Sequence, residues 1–418
     1  MKKWIAFAAA LILLAAGVGA GYVLYKREEA KDVRGSSTEE FVTTEEEEPP
    51  PPPPAKEQFD VVWPLNGYDA ARHRVGPFAL KPPFRRVWTF RARQLLEFPP
   101  AIAYGRLYFT NNSGVMFAVN AKTGKRAWKL PVGRCVAASP AVANGTVYQA
   151  FLNRPPCNSK ATPERLEGEV IAFAAGFGKI RWRTRVGPTE SSPLVAGGRV
   201  YIGDWRGRVY ALDRRTGQVR WTFQGNGRIK GAVAKSGNRL YVGTYDGYLY
   251  CIRASTGKLI WRTKSQDRLG GRGQFYSTPA IAYGRVYIGS TDGKVYSFGA
   301  ATGKLRWSKR TGGYVYGSPA VWRQTVYAGS YSGRFYALDA ATGDVRWRFR
   351  ANGDISGSAT VLNGVVYFST FNERTYALDA RTGKELWTFE DGKYGGVVAD
   401  RDRLYLVGHA RVYGMVEK

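Results

Sequence analysis

From Val87 to the C-terminus the chain is written in short runs of alternating apolar and polar residues, each stopped by a glycine-bearing pair. In the stretch from Ser277, the runs STPAIAY, GRVYIGS, KVYSFGA and KLRWSKR break at Tyr283-Gly284, Asp292-Gly293 and Thr302-Gly303. Alternating β-branched and aromatic residues between such breaks predict strands joined by tight turns. Asn144-Gly145 and Asn363-Gly364 are favoured two-residue hairpin signals at the equivalent first turn. The four-strand unit repeats. Its tryptophan recurs at Trp88, Trp128, Trp182, Trp221, Trp261, Trp307, Trp347 and Trp387, in steps of 40, 54, 39, 40, 46, 40 and 40 residues. A tyrosine keeps the same rhythm in the second strand, at Tyr108, Tyr148, Tyr201, Tyr241, Tyr287, Tyr327, Tyr367 and Tyr405. A fixed period of about 40 residues with strand-like contents predicts a propeller. The recurring aromatics are then the core between blades.

Pro140, Pro193, Pro279 and Pro319 open first strands. Proline donates nothing to a ladder and belongs on an edge; in a blade that edge lines the central channel. The chain enters with a lone fourth-type strand, RRVWTF, and leaves with three strands and no fourth: GGVVAD, RLYLVG and RVYGMV. Pairing the two ends completes the last blade and removes an exposed edge. The expected fold is all-β, an eight-bladed β-propeller closed by the N-terminal strand.

The copy ALDARTGKELW, Ala377 to Trp387, fits Ala-x-Asp-x-x-Thr-Gly-Lys-x-x-Trp at every position. This pattern resembles the tryptophan-docking repeat of pyrroloquinoline-quinone (PQQ) propellers, over roughly residues 63–416. The blade count and small size resemble the BamB type, and the lead-in WPLNGYDAARHR resembles the segment that often precedes such propellers. AAGFGKIRW departs from the pattern by lacking the threonine, and an insertion at Leu152 to Gly168 lengthens one blade. The resemblance implies a non-enzymatic scaffold of outer-membrane protein assembly.

Before the repeat, Trp4 to Tyr25 are 22 uncharged, mostly apolar residues. As a helix they would reach about 33 Å, enough to cross a bilayer. Val18-Gly19-Ala20 also offers a cleavage site for a signal peptide; the length favours an uncleaved anchor. Two positive residues lie within ten of the span before it and four after, Lys26, Arg27, Lys31 and Arg34. Counted alone, that places the propeller inside the cell, whereas the family resemblance implies the extracytoplasmic side, which is the placement adopted. The division is an anchor over residues 1–34, a disordered Glu/Pro-rich linker over 35–58, a lead-in over 59–86 and the propeller over 87–418. Glu45 to Glu48 and Pro49 to Pro54 make the linker a solvated, extended spacer.

Residues 1–54 hold six Lys or Arg and nine Asp or Glu, leaving 56 basic and 24 acidic residues beyond them. A part so basic attracts polyanions, such as anionic head groups or wall polymers. Its basic residues sit beside aromatics because both follow the blade repeat, so nucleic acid is not an expected partner. Catalysis has little to stand on. The two histidines, His73 and His409, are far apart in sequence, and Cys135, Cys157 and Cys251 include no adjacent pair. The resemblance would require such a pair, with calcium-binding carboxylates, in a PQQ-dependent dehydrogenase. No catalytic, metal or cofactor residue is therefore expected. The first reading is a membrane-anchored scaffold with an envelope protein partner. The alternative is a binder of anionic envelope polymers or sugars, and a PQQ enzyme ranks third.

Loops entering first strands and loops joining second to third strands share one face of a propeller, where loops carry function. The first set offers Arg134, Glu190, Lys230, Arg272, Tyr276 and Tyr316. The second offers Trp205, Tyr245, Tyr331, Phe371 and His409. Trp205 lies outside the repeated tryptophan position and is expected to be largely exposed. Cys135 and Cys157 fall in loops on this face of one blade, which predicts a disulfide and an oxidising compartment. Cys251 takes the place that Ala211 and Ala337 hold in their blades and should be a buried free thiol.

Overall fold

The computed structural model describes residues 2–43, 61–157 and 160–418, with the side chains of residues 2–11 and 13 outside the description. Eight antiparallel four-stranded blades form the ring. The first seven occupy residues 101–131, 141–186, 194–224, 234–264, 280–310, 320–350 and 360–389. The eighth joins Val398–Ala399, Leu404–Val407 and Arg411–Glu417 to the entering strand Phe84–Arg91, which begins three residues before Val87.

The third blade shows why the repeat reads as it does. Asp213 accepts the N–H groups of Arg215 and Thr216 at 2.9 and 3.0 Å and the Thr216 hydroxyl at 3.2 Å. That holds a turn ending at Gly217, whose φ is +76°, a conformation costly for residues with a Cβ. Trp182 of the preceding blade lies on this glycine, where an added Cβ would come within 2.6 Å of the ring. The indole N–H donates to the Arg214 carbonyl at 3.1 Å, and the Tyr148 hydroxyl donates to the same oxygen at 3.3 Å. Motif Asp, Thr, Gly, Trp and Tyr are thus one device that joins two blades. In the departing copy the threonine position is Phe177, which is 88% exposed, while Gly178 keeps its place under Trp128. The glycine carries the seam and the threonine only trims the turn. Of the eight docking tryptophans, Trp182 and Trp307 are buried; the other six are half-buried, because the fourth strand faces outward.

An α-helix runs over Lys2–Glu29. Among the described residues no helix is long and apolar enough to cross a membrane, so the structure gives the expected span over residues 4–25 no support. The chain after the helix departs from the disordered linker expected from residue 35. As far as Val42 it is laid against the fifth and sixth blades. Val33 pairs with Ser308, Gly35 N–H donates to Thr342 at 2.9 Å, and Arg34 forks onto Asp344. Buried Arg285 donates to the carbonyls of Ser36 and Glu40 at 2.9 and 2.8 Å, and Glu40 pairs with Arg306 at 2.6 Å. Gly35 lies on Trp307, which is why that ring is 0% exposed. The glutamate and proline runs of the linker lie outside the described residues.

The lead-in is a plug. Val61–Trp63 pairs with the first strand of blade one, and Val75–Gly76 runs parallel to that of blade seven. Between them the carbonyls of Pro64, Ala70, Ala71, His73 and Arg74 accept N–H groups from Val142, Lys235, Ile281, Val321 and Val361. The inner edges of six blades, the first, second and fourth to seventh, are met by one crossing chain. Arg72, fully buried, pins it through the carbonyls of Asn66, Val233 at 3.0 Å and Ser192 at 3.2 Å.

Candidate functional site

Above the plug the channel opens as a cavity of about 480 Å³ on the face that carries both loop sets. The arrangement starts from the loop residues. Tyr245, Tyr276, Tyr316, Tyr331, Phe371 and Tyr394 form an unbroken arc of rings, with successive centroids 5.8, 4.9, 4.8, 5.2 and 5.2 Å apart. Most meet edge to face, the arrangement aromatic quadrupoles favour. The Lys230 ammonium sits 4.9, 5.1 and 5.5 Å from the ring centroids of Trp205, Tyr245 and Tyr276, and it pairs with Glu190 at 3.3 Å. Glu97, on the same wall, has its carboxyl pushed up to about 7, mainly by burial and then by Glu190, against the pull of Lys230. Burial also raises Glu190 and carries the Tyr276 hydroxyl well above its ordinary value.

Beneath the arc lies a collar of hydroxyls. Ser192, Thr278, Ser318 and Ser358 each accept a backbone N–H from the preceding blade, at 3.0, 2.9, 3.0 and 3.0 Å. Among the described hydrogen bonds none of the four donates, so their protons are available to the cavity. The floor is the plug, through Asn66 and Arg74. Both are at least nine-tenths buried, and Asn66 Oδ1 and Arg74 Nε have no partner among the described residues.

Of the residues expected on this face, Glu190, Lys230, Tyr245, Tyr276, Tyr316 and Tyr331 line the cavity and Phe371 extends its arc. The others do not join it. Trp205 is half-buried rather than largely exposed, because Lys230 and Arg228 cover its ring, and its indole N–H is buried without a partner. It lines a separate depression with Tyr245 and Asp246. Arg134 is buried on Glu169 at 2.9 Å and on the Glu167 carbonyl at 2.7 Å, so it braces the insertion. Arg272 turns outward to Asp267 at 2.8 Å. His409 stays on the rim, 3.4 Å from Glu373. Sequence reasoning missed Glu97 and Tyr394, which sit in loops entering the first and eighth blades, where the same rule would have found them. It also missed Asn66 and Arg74, since nothing local marks a lead-in as a channel floor. Cys135 and Cys157 form a disulfide with Cα atoms 5.4 Å apart, and Cys251 is buried and free.

The family described as outer membrane protein assembly factor BamB matches residues 79–154, 161–230 and 205–416. The chain belongs to this family. It is 32% identical over 124 residues to the BamB of Kangiella koreensis, covering 27% of this chain and 28% of that one. In fold it is similar to BamB from Moraxella catarrhalis, with a TM-score of 0.68 at 16% identity, covering 80% of this chain and 100% of that one. A quinohemoprotein alcohol dehydrogenase from Comamonas testosteroni is as similar, with a TM-score of 0.68 at 17% identity and coverage of 85% and 81%. The matches span 15% to 45% of the length of the curated relatives. The fold therefore serves both assembly factors and quinone dehydrogenases. PQQ is a tricarboxylated quinone. The lining here offers Arg74 and Lys230 against Glu97 and Glu190, with Lys230 already bridged to Glu190. Among the described residues no group of three His, Cys, Asp or Glu is placed to hold a metal ion. The lining does not fit that cofactor.

Proposed function

We propose that this chain is a non-catalytic, BamB-like scaffold of the cell envelope that docks a protein partner on the cavity face. The aromatic arc supports this most. Six rings converge on one face of the ring around the cavity mouth, and aromatic residues are the usual anchors of interfaces. The family match supports the scaffold class. The Cys135–Cys157 bridge supports an oxidising, extracytoplasmic placement. An N-terminal membrane anchor rests on the apolar run Trp4 to Tyr25, and the helix ends at the rim of the same face, where Gln266 donates to the Glu29 carbonyl at 2.9 Å. The net positive charge beyond residue 54 favours a second reading, binding of anionic envelope polymers. The test is site-specific crosslinking in membranes from residues 316 and 371, with a residue on an outer strand, Arg185, as control. Partner adducts from the arc and none from Arg185 are expected. Adducts from Arg185 alone, or capture unchanged in Tyr316→Ala/Tyr331→Ala, would remove the docking assignment.

A further inference from the structure

The cavity is built in two storeys of opposite chemistry, and the scaffold reading uses only its rim. The lower storey is mostly donors, with the Asn66 Oδ1 acceptor as the exception. Arg74 is 4% exposed and carries an Nε–H without a partner. Above it stand the four collar hydroxyls, each with its oxygen occupied by a backbone N–H and its proton free. A buried donor left unpaired is costly, and a carboxylate satisfies several donors and a guanidinium at once. The upper storey accepts cations. Glu190 is balanced by Lys230, whereas Glu97 has no ion-pair partner among the described residues and stands beside the tyrosine rings. A carboxylate next to aromatic faces is the setting that holds an ammonium. With both carboxyls ionised, the two carboxylates and two cations of the lining sum to zero, so a ligand of zero net charge suits it better than either ion alone. The volume of about 480 Å³ is that of a small-molecule site.

We propose that this cavity binds a small zwitterion, a free amino acid or short peptide, with its carboxylate on Arg74 and the collar hydroxyls and its ammonium at Glu97. Its side chains then lie against Tyr276, Tyr316 and Tyr331. The ligand's charged ends are held by Arg74, the collar and Glu97, none of which belongs to the aromatic arc, so crosslinking from the arc and recognition of those ends can fail separately although both sites use Tyr316 and Tyr331.

The test is calorimetric titration of the purified full chain with phenylalanyl-phenylalanine, its C-terminal amide, its N-acetyl derivative, free phenylalanine and PQQ. The zwitterionic dipeptide should bind, and blocking either end should weaken it about tenfold or more, which is 1.4 kcal/mol or more. Free phenylalanine against dipeptide separates the two sources. Glu97→Gln should weaken the dipeptide about tenfold while leaving the N-acetyl form unchanged. Arg74→Gln should do the reverse, weakening acids and sparing the amide. Should Arg74→Gln not fold, the comparison of acid with amide on the unaltered chain still decides. Equal affinity for acid and amide, no binding at millimolar dipeptide, or displacement of the dipeptide by PQQ at lower concentration would each overturn the proposal.

Discussion

Seven seams of this ring are built one way and the eighth another. At each regular seam a docking tryptophan lies on the glycine of the next blade: Trp88 on Gly124, Trp128 on Gly178, Trp182 on Gly217, Trp221 on Gly257, Trp261 on Gly303, Trp307 on Gly343 and Trp347 on Gly383. Its N–H and a tyrosine hydroxyl converge on one carbonyl of that blade, as Trp261 and Tyr241 do on Ala300 at 3.2 and 3.1 Å. Among the described residues, the seam between blades seven and eight has no such carbonyl. The turn that supplies it joins third to fourth strand, and in blade eight the third strand Arg411–Glu417 is paired with the distant strand Phe84–Arg91 instead of turning back into a fourth. Tyr367 keeps its place, but its hydroxyl is buried without a partner, and Trp387 packs edge-on against Phe84 at 5.4 Å. The compensation is apolar. Trp63, Leu80, Phe84, Leu362, Val397 and Tyr405 belong to one buried cluster that spans the closing seam and the lead-in. Closing a ring through its termini exchanges directional bonds for hydrophobic area, which is non-directional and tolerates a missing turn.

The largest effect should separate the two kinds of seam. Trp307→Ala removes a fully buried ring, its bond to Ala340 at 2.8 Å and the seat of Gly35, and should cost about 3–5 kcal/mol. Trp387→Ala should cost about 1–2 kcal/mol less, lacking the hydrogen-bond share. Chemical denaturation of both variants checks this. Equal losses would mean that the closing seam is as strongly keyed as the others. Next in size is the disulfide, a brace within blade two rather than between blades. Reducing a bridge of sequence separation 22 should cost about 3 kcal/mol in the chain-entropy account, whose mechanism is disputed. Denatured, unreduced protein should titrate one thiol, Cys251, and three after reduction. Three before reduction would discard both the bridge and the compartment it supports.

The seams were almost fully legible in the sequence, because each rests on residues that recur at a fixed spacing. Period, strand count, ring closure and the pairing of Cys135 with Cys157 all follow from local pattern and topology. What was not legible depends on contacts distant in sequence. Nothing in WPLNGYDAARHR announces that its carbonyls would cap the inner edges of several blades, and so Arg74 could not be named as a channel floor. Gly35 opens what composition reads as a spacer, yet an added Cβ would come within 2.4 Å of the Ala341 carbonyl. Trp205 was singled out because it breaks the repeat, and it proved to be packed beneath Lys230. A side chain that breaks a pattern marks a special position without saying what covers it.

A smaller prediction tests the glycine half of the seam. Gly343 has φ +78°, and an added Cβ would stand 2.8 Å from the Trp307 ring. Gly343→Ala combines backbone strain with overpacking and should lose about 1–3 kcal/mol. Gly105→Ala has a similar φ of +65° and nothing within 4 Å, so it should show the strain alone. If the two variants melt together, the tryptophan does not select the glycine, and the repeat's Thr-Gly is only a turn.

The finest distinction lies in two hydroxyls. Tyr241 donates to Ala300 at 3.1 Å, so Tyr241→Phe removes a buried bond and should cost about 1 kcal/mol. Tyr367 occupies the same strand position at the closing seam, where its hydroxyl meets no acceptor. Burial also pushes its ionisation well above the ordinary tyrosine value, with Glu417 adding to the rise. Tyr367→Phe keeps the ring and removes an unsatisfied donor, so it should leave stability unchanged or raise it by up to about 1 kcal/mol. Opposite signs at equivalent positions would locate the difference between the seams in the missing carbonyl itself. A loss at Tyr367 matching that at Tyr241 would mean that the closing blade supplies an acceptor after all, and the distinction between the seams would then reduce to packing.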